Sequence, residues 1–212
     1  ILSNLFIQHK ESTILINKKP SHLFPVFLIL LFVTYFLKDI LPMNLAAENS
    51  LIENLQLIIL LIGACICYYF ARHTNKTSDK YIWSGGIAFF IILCLREISW
   101  GRTLLMHPNG TIPSWEELGF YGQIIHPLVA VFITGTVYLF YKGNFFQFLR
   151  TLKIPVCDLA ILFLLIIMAT VAEKGSFAFF HGEMAEELSE SLLYCEMCYI
   201  SLQIGISKQN PK

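Results

Sequence analysis

The run IPVCDLAILFLLIIMATV at residues 154–171 decides the fold, because it is the cleanest of six apolar stretches that approach membrane-spanning length. A helix needs about 20 apolar residues to cross about 30 Å of hydrocarbon. Working outward from it, the other five lie at 23–41, 51–71, 82–100, 124–141 and 185–206. Pro25 and Pro42 bracket the first, and Gly85 and Gly86 in the third offer close approach to a neighbouring helix. The stretch at 185–206 is the least apolar, carrying Glu186, Glu187, Glu190 and Glu196.

Composition agrees with this reading. Of 212 residues, 56% are hydrophobic and only 14% charged, and the mean hydropathy of +0.63 lies outside the soluble range. The expected fold is therefore all-α, a polytopic integral membrane bundle of about six transmembrane helices, with the lipid bilayer as its first partner. A net charge of +0 without a long basic block argues against nucleic acid as a partner. All six cysteines, Cys65, Cys67, Cys94, Cys157, Cys195 and Cys198, fall inside the predicted spans, where a disulfide framework has no role. Cys195 and Cys198 have redox spacing, but no thioredoxin-like pattern surrounds them, so they read as small packing residues.

Lysine and arginine fix the topology, since their translocation is disfavoured. Lys10, Lys18 and Lys19 precede the first span; Arg72, Lys76 and Lys80 follow the second; Lys142, Arg150 and Lys153 follow the fourth; Lys208 and Lys212 close the chain. These four regions share one side. The remaining connections are acidic, with Glu116 and Glu117 in the third and Glu173, Glu183, Glu186 and Glu187 around the fifth. The expected arrangement is a cytoplasmic arm at 1–22, a transmembrane domain at 23–207 and a cytoplasmic tail at 208–212, multi-pass in the cell membrane, in a bacterium the inner membrane. The arm does not read as a signal peptide, because Lys10, Glu11, Lys18 and Lys19 interrupt any apolar core. In the long third connection, Ser114-Trp115-Glu116-Glu117 after Pro113 predicts a capping box opening a short helix, with Trp115 at the interface. Asn109-Gly110-Thr111 is a glycosylation sequon that matters only in a secretory pathway. Leu51-Ile52-Glu53-Asn54-Leu55 is echoed by Leu188-Ser189-Glu190-Ser191-Leu192, a weak internal repeat.

Polar groups converge at the outer ends of the spans. Arg96-Glu97-Ile98-Ser99-Trp100-Gly101-Arg102 closes the third, Glu48 and Glu53 open the second, His126 opens the fourth and Glu190 lies near the start of the sixth. Intramembrane ionisable residues are functional candidates. Arg96, Lys38, Asp39, Lys174 and Glu183 are expected to be interfacial or ion-paired, whereas Glu53, Glu97, His126 and Glu190 are expected to share an internal site. That site has three chemistries open to it. Glu97, His126, Glu53 and Glu190, joined from the fifth connection by His181, are a candidate ligand set for a divalent metal that would activate water, with Glu97 and His126 as catalytic residues; no HExxH spacing fixes two ligands on one helix. Glu97 and Glu53 could instead titrate in an ion-coupled carrier, although the inner halves of the spans offer few polar groups for a path. Trp100 and Arg102, with Glu53 and Glu190, could bind a lipid-like or small polar ligand, Arg matching a phosphate and Trp the interface. The leading expectation is an outward-facing pocket that binds such a ligand, with its chemical modification left open. The rivals are the carrier and a non-enzymatic scaffold whose polar groups only lock the helices.

Glu97-Ile98-Ser99-Trp100-Gly101, followed by Gly122-Gln123-Ile124-Ile125-His126, resembles a family of uncharacterised bacterial multi-spanning membrane proteins. There a span ends in Glu-Glu-Ile-Ser-Trp-Gly-Gln-Arg, and Gly-Glu-x-x-His follows in the next outer loop. The resemblance covers roughly residues 48–127, and it implies that Glu97, Trp100 and His126 belong together. It implies no particular reaction. The chain departs from the pattern at Arg96, which replaces the first glutamate, and at Arg102-Thr103, which stands where Gln-Arg is expected.

Overall fold

Each apolar stretch folds as a helix, since inside a bilayer the backbone has only itself to bond to. In a computed structural model of the chain, residues 15–17, 24–42, 45–46, 51–107, 111–150, 153–174 and 182–209 are described. The helices are α1 (Phe24–Ile40), α2 (Leu51–His73), α3 (Thr77–Glu97), α4 (Phe120–Lys142), the short α5 (Phe145–Arg150), α6 (Val156–Lys174) and α7 (Glu183–Gln209). Hydroxyls on the apolar helices are satisfied locally: Thr34, Thr136 and Thr170 each donate to the carbonyl four residues back at 2.8–2.9 Å.

Two three-residue strands, β1 (Leu15–Asn17) and β2 (Lys153–Pro155), pair in parallel with Ile16 opposite Ile154. An all-α reading does not anticipate them. They tie part of the N-terminal arm to the α5–α6 connection, two regions that the lysine and arginine pattern assigns to one side.

The boundaries of α3 shift from the expected ones at both ends. The helix starts five residues early, adding a polar turn in which Asp79 stands in the first turn, where the helix dipole favours an acid. It stops at Glu97 rather than Trp100, because Ser99, Trp100 and Gly101 all take positive φ, at 45°, 56° and 89°. Gly101 is the natural residue for such a turn. Ser99 and Trp100 are not, and their strain marks a site. The chain then continues as a 3-10 segment over Ser99–Leu105.

Helix α7 lies at the centre of the packing, against α2, α6 and α1. Met184, Ala185, Ser189, Tyr194 and Glu196 on it are almost wholly buried. The least apolar helix is thus the most enclosed, because polar side chains in a membrane bundle point at other helices rather than lipid. Its two ends fix the relative directions. Glu190 meets Arg96 at the end of α3, and Lys208 approaches Asp79 at the start of α3 to 4.0 Å. Helices α2 and α7 therefore run the same way, and α3 runs against them. The echoed segments at 51–55 and 188–192 face each other, with Ile52, Met184 and Leu188 in one apolar cluster. The main core joins Leu60, Cys67 and Phe70 of α2, Trp83 and Phe90 of α3, Phe148 of α5 and Tyr194 of α7. Gly85 and Gly86 admit close neighbours as expected: Phe140 of α4 and the Sγ of Cys67 on α2, respectively.

Among the described residues, three helical stretches are long and apolar enough to cross a membrane: Leu51–His73, Thr77–Leu105 and Phe120–Lys142. The exterior agrees, for Phe32, Val131 and Phe163 stand well exposed on α1, α4 and α6, as lipid-facing side chains do.

Candidate functional site

The end of α3 builds the site from two adjoining groups joined by Arg96. On one side, Arg96 binds two acids and a phenol. Its Nε donates to Glu97 Oε1 at 3.0 Å, and its Nη2 reaches Glu190 Oε1 at 2.5 Å and the Tyr194 hydroxyl at 2.9 Å. The Tyr194 hydroxyl in turn donates to Glu97 Oε1 at 2.6 Å. Glu97 is 8% exposed and Tyr194 1%, so the acid and the phenol meet out of water while half of the Arg96 side chain stays exposed. A planar guanidinium suits such a fork, having five donors in fixed geometry. Glu190 and Tyr194 stand four residues apart on one face of α7, which is why one arginine reaches both.

A second polar contact sits beside it. The amide of Gln56 on α2 donates to the carbonyl of Glu187 at 3.0 Å, to its Oε2 at 2.7 Å and to Ser191 Oγ at 3.3 Å. This links the α2 and α7 segments whose sequences echo each other.

On the other side of Arg96 lies a cavity of about 370 Å³ lined by Arg96, Trp100, Arg102, Trp115 and His126, with Ser99 and Val129 completing the wall. The Arg102 guanidinium lies over the Trp115 ring at 4.3 Å, and Trp115 packs on His126 at 5.5 Å between ring centroids. Tyr121 closes the strained turn by donating to the Trp100 carbonyl. The capping box forms as expected: Ser114 N–H donates to Glu117 Oε2 at 2.8 Å, and Glu117 N–H donates to Ser114 Oγ at 3.3 Å. The Ser114 N–H, with His107 beside it, holds the Glu117 carboxyl below its ordinary value, so the box survives to more acid pH than it would with an unshifted carboxylate. It opens a single turn over 115–119 rather than a regular helix. Gly122 is what lets this turn pack on α4. A Cβ there would sit 1.9 Å from the Trp115 carbonyl oxygen. Gly122→Ala is therefore expected to cost about 1–3 kcal/mol through overpacking, more than the roughly 1 kcal/mol that alanine gains in a helix. Melting in detergent checks it, with a shift in tryptophan emission as Trp115 moves.

The predicted residues thus divide. Glu97 and Glu190 come together, and Trp100, Arg102 and His126 come together. Glu53 is half-buried in the first turn of α2, on the flank of Glu187. Glu97, His126, Glu53 and Glu190, weighed as a metal set, are not brought together: among the described residues no three His, Cys, Asp or Glu side chains gather as metal ligands. The cation at Glu97 and Glu190 is the Arg96 guanidinium. His181, Glu48 and the Asn109 sequon lie outside the described residues. The six cysteines are free thiols, and Cys198 donates to the Ile59 carbonyl at 3.2 Å, a packing role.

Sequence reasoning missed Arg96 as the hub, and it missed Tyr194, Gln56 and Trp115. The spacing of Tyr194 from Glu190, one helical turn, was the available signal for the first partner. It also missed a buried pair in the opposite half of the bundle. Glu196 on α7 and Asp158 on α6 are both 0% exposed, and neither Glu196 oxygen has a hydrogen-bond partner. Comparison of the chain with protein-family models, with curated proteins and with solved structures returned no match.

Proposed function

We propose that this chain is a six-span integral membrane protein with both termini in the cytoplasm, and that its pocket beside Arg96 opens outward and binds an amphiphile by an anionic group. The observation that carries the reading is the lining of the cavity. Arg96, Arg102 and His126 supply cationic or donor groups, Trp100 and Trp115 supply interfacial aromatic surface, and among the described residues no carboxylate lines it. Arg102 is pre-oriented by its ring contact, so little freedom is lost when it grips a phosphate or carboxylate. The topology draws support from the gathering of Asp79, Lys76 and Lys208 at the end opposite Glu97 and Glu190.

The family resemblance at Glu97–Gly101 belongs to this proposal too. The cavity supports its grouping of Trp100 with His126, while Glu97 acts through Arg96, which it holds in place. One observation favours a second reading, an ion-coupled carrier: the buried carboxyls of Glu196 and Asp158 give the inner half the polar groups that such a path needs.

Tryptophan emission tests the first reading. In a Trp83→Phe background only Trp100 and Trp115 report. Titration with dihexanoyl phosphatidic acid is expected to shift their emission, and dihexanoyl phosphatidylcholine to do so far less. Loss of a charge-assisted contact in Arg102→Ala should weaken the effect by about tenfold or more. An unmoved emission with both lipids sinks the reading and leaves the polar groups as a helix lock.

A further inference from the structure

The basic end of the bundle holds a second pair of cavities, one polar and one apolar, that share a wall. The polar one, about 700 Å³, lies at the α2–α3 turn against the end of α7, with His73, Lys76, Asp79 and Lys208 among its lining residues. The apolar one, about 600 Å³, runs along α2 and α7 between Ile58, Ile62, Leu202 and Ile206. Tyr69, Phe70 and Gln209 line both, so the two spaces adjoin.

Their shape is that of an amphiphile. From Ile58 to Tyr69 the groove follows eleven residues of α2, about 16 Å at 1.5 Å per residue, the reach of a long acyl chain. Its walls are large aliphatic side chains that stand about half exposed, Ile62 and Ile206 among them. At the mouth the charges favour an anion. Lys76 is exposed, and Lys208 stands 4.0 Å from Asp79, the single acid of the lining. His73 donates Nδ1–H to the Tyr69 carbonyl at 2.7 Å, which leaves Nε2 of the neutral ring an acceptor, so contact with an anion falls to the lysines. The N-terminus of α3 opens here as well, uncapped by any side chain at Lys76, and adds positive potential.

We propose that this end binds an anionic membrane phospholipid, one acyl chain lying in the groove between α2 and α7 and the headgroup phosphate seated under Lys76 and Lys208. The site draws on the leaflet that faces the lysine-rich connections. It rests on the membrane reading but not on the Arg102 pocket, which lies at the opposite end of α3.

Native mass spectrometry of the detergent-purified full chain decides it, using phosphatidylglycerol and phosphatidylcholine with identical acyl chains. Phosphatidylglycerol is expected to bind more tightly. Reversing one charge in Lys76→Glu should weaken that binding on the order of tenfold and leave phosphatidylcholine unchanged. Ile62→Trp, which fills the groove from a lipid-facing position, should weaken both lipids. In an Arg102→Ala background, which removes the other anion site, the preference for phosphatidylglycerol and its loss in Lys76→Glu should both persist. Equal affinity for the two lipids or an unmoved Lys76→Glu would overturn the proposal. So would loss of that preference in the Arg102→Ala background, which would assign the lipid to the other pocket.

Discussion

Arg96→Ala is expected to lower stability by about 2–3 kcal/mol, below the roughly 3–5 kcal/mol for breaking a wholly buried pair because its side chain is 52% exposed. The loss arises less from the attraction removed than from what stays behind. Glu97 and Glu190 would face each other, with the Tyr194 hydroxyl left as a donor to Glu97 alone. Arg96→Lys should fall between wild type and alanine, since a point-like ammonium cannot serve Glu97, Glu190 and Tyr194 in one geometry. Arg96→Ala combined with Glu97→Gln should recover part of the loss, because the neutral amide no longer repels Glu190. Melting in detergent micelles, followed by light scattering, reads the series. An alanine variant that melts with wild type would mean that the fork contributes nothing to the fold.

The same residue shows how far the sequence reaches. Apolar length made the helices legible, because a long apolar run folds best as a helix that bonds its own backbone. A pairing for Arg96 was expected, but its partners on α7 were not legible. A guanidinium at the end of an apolar run reads as a snorkelling group, and only the placement of α7 beside α3 brings Glu190 and Tyr194 within its reach. Trp100 at positive φ was hidden for a related reason. Gly101 alone signalled a turn, and nothing in the sequence distinguishes a helix that continues to Trp100 from one that breaks at Ile98. The grouping of Trp100 with His126 was anticipated, yet through a motif. The structure gives the physical cause, which is Trp115 lying between His126 and Arg102.

Glu190 and Glu196 also show why the charge of a residue does not reveal its energetic sign. Both lie on α7, six positions apart, and both make that stretch less apolar. Glu190 is matched by a guanidinium, so its removal exposes a charge. Glu196 is 0% exposed with both oxygens lacking a hydrogen-bond partner. Its burial therefore costs the bundle rather than holding it.

Glu196→Met is accordingly expected to stabilise the protein by about 1–3 kcal/mol, the typical cost of a buried polar group left unsatisfied. Methionine nearly conserves the volume and adapts its shape to the cavity left by the carboxyl. Asp158, on the facing helix and likewise 0% exposed, should feel the change, so Asp158→Asn in the Glu196→Met background should shift melting less than Asp158→Asn alone. The double-mutant cycle isolates that coupling. A Glu196→Met variant that melts below wild type would show that the carboxyl is satisfied in the folded bundle and would remove the argument for strain. If it melts above, the retention of an unfavourable acid in the inner half of α7 needs a reason other than stability. Ion coupling supplies one, and uptake of a pH-sensitive dye signal by proteoliposomes carrying wild type but not Glu196→Met would identify it.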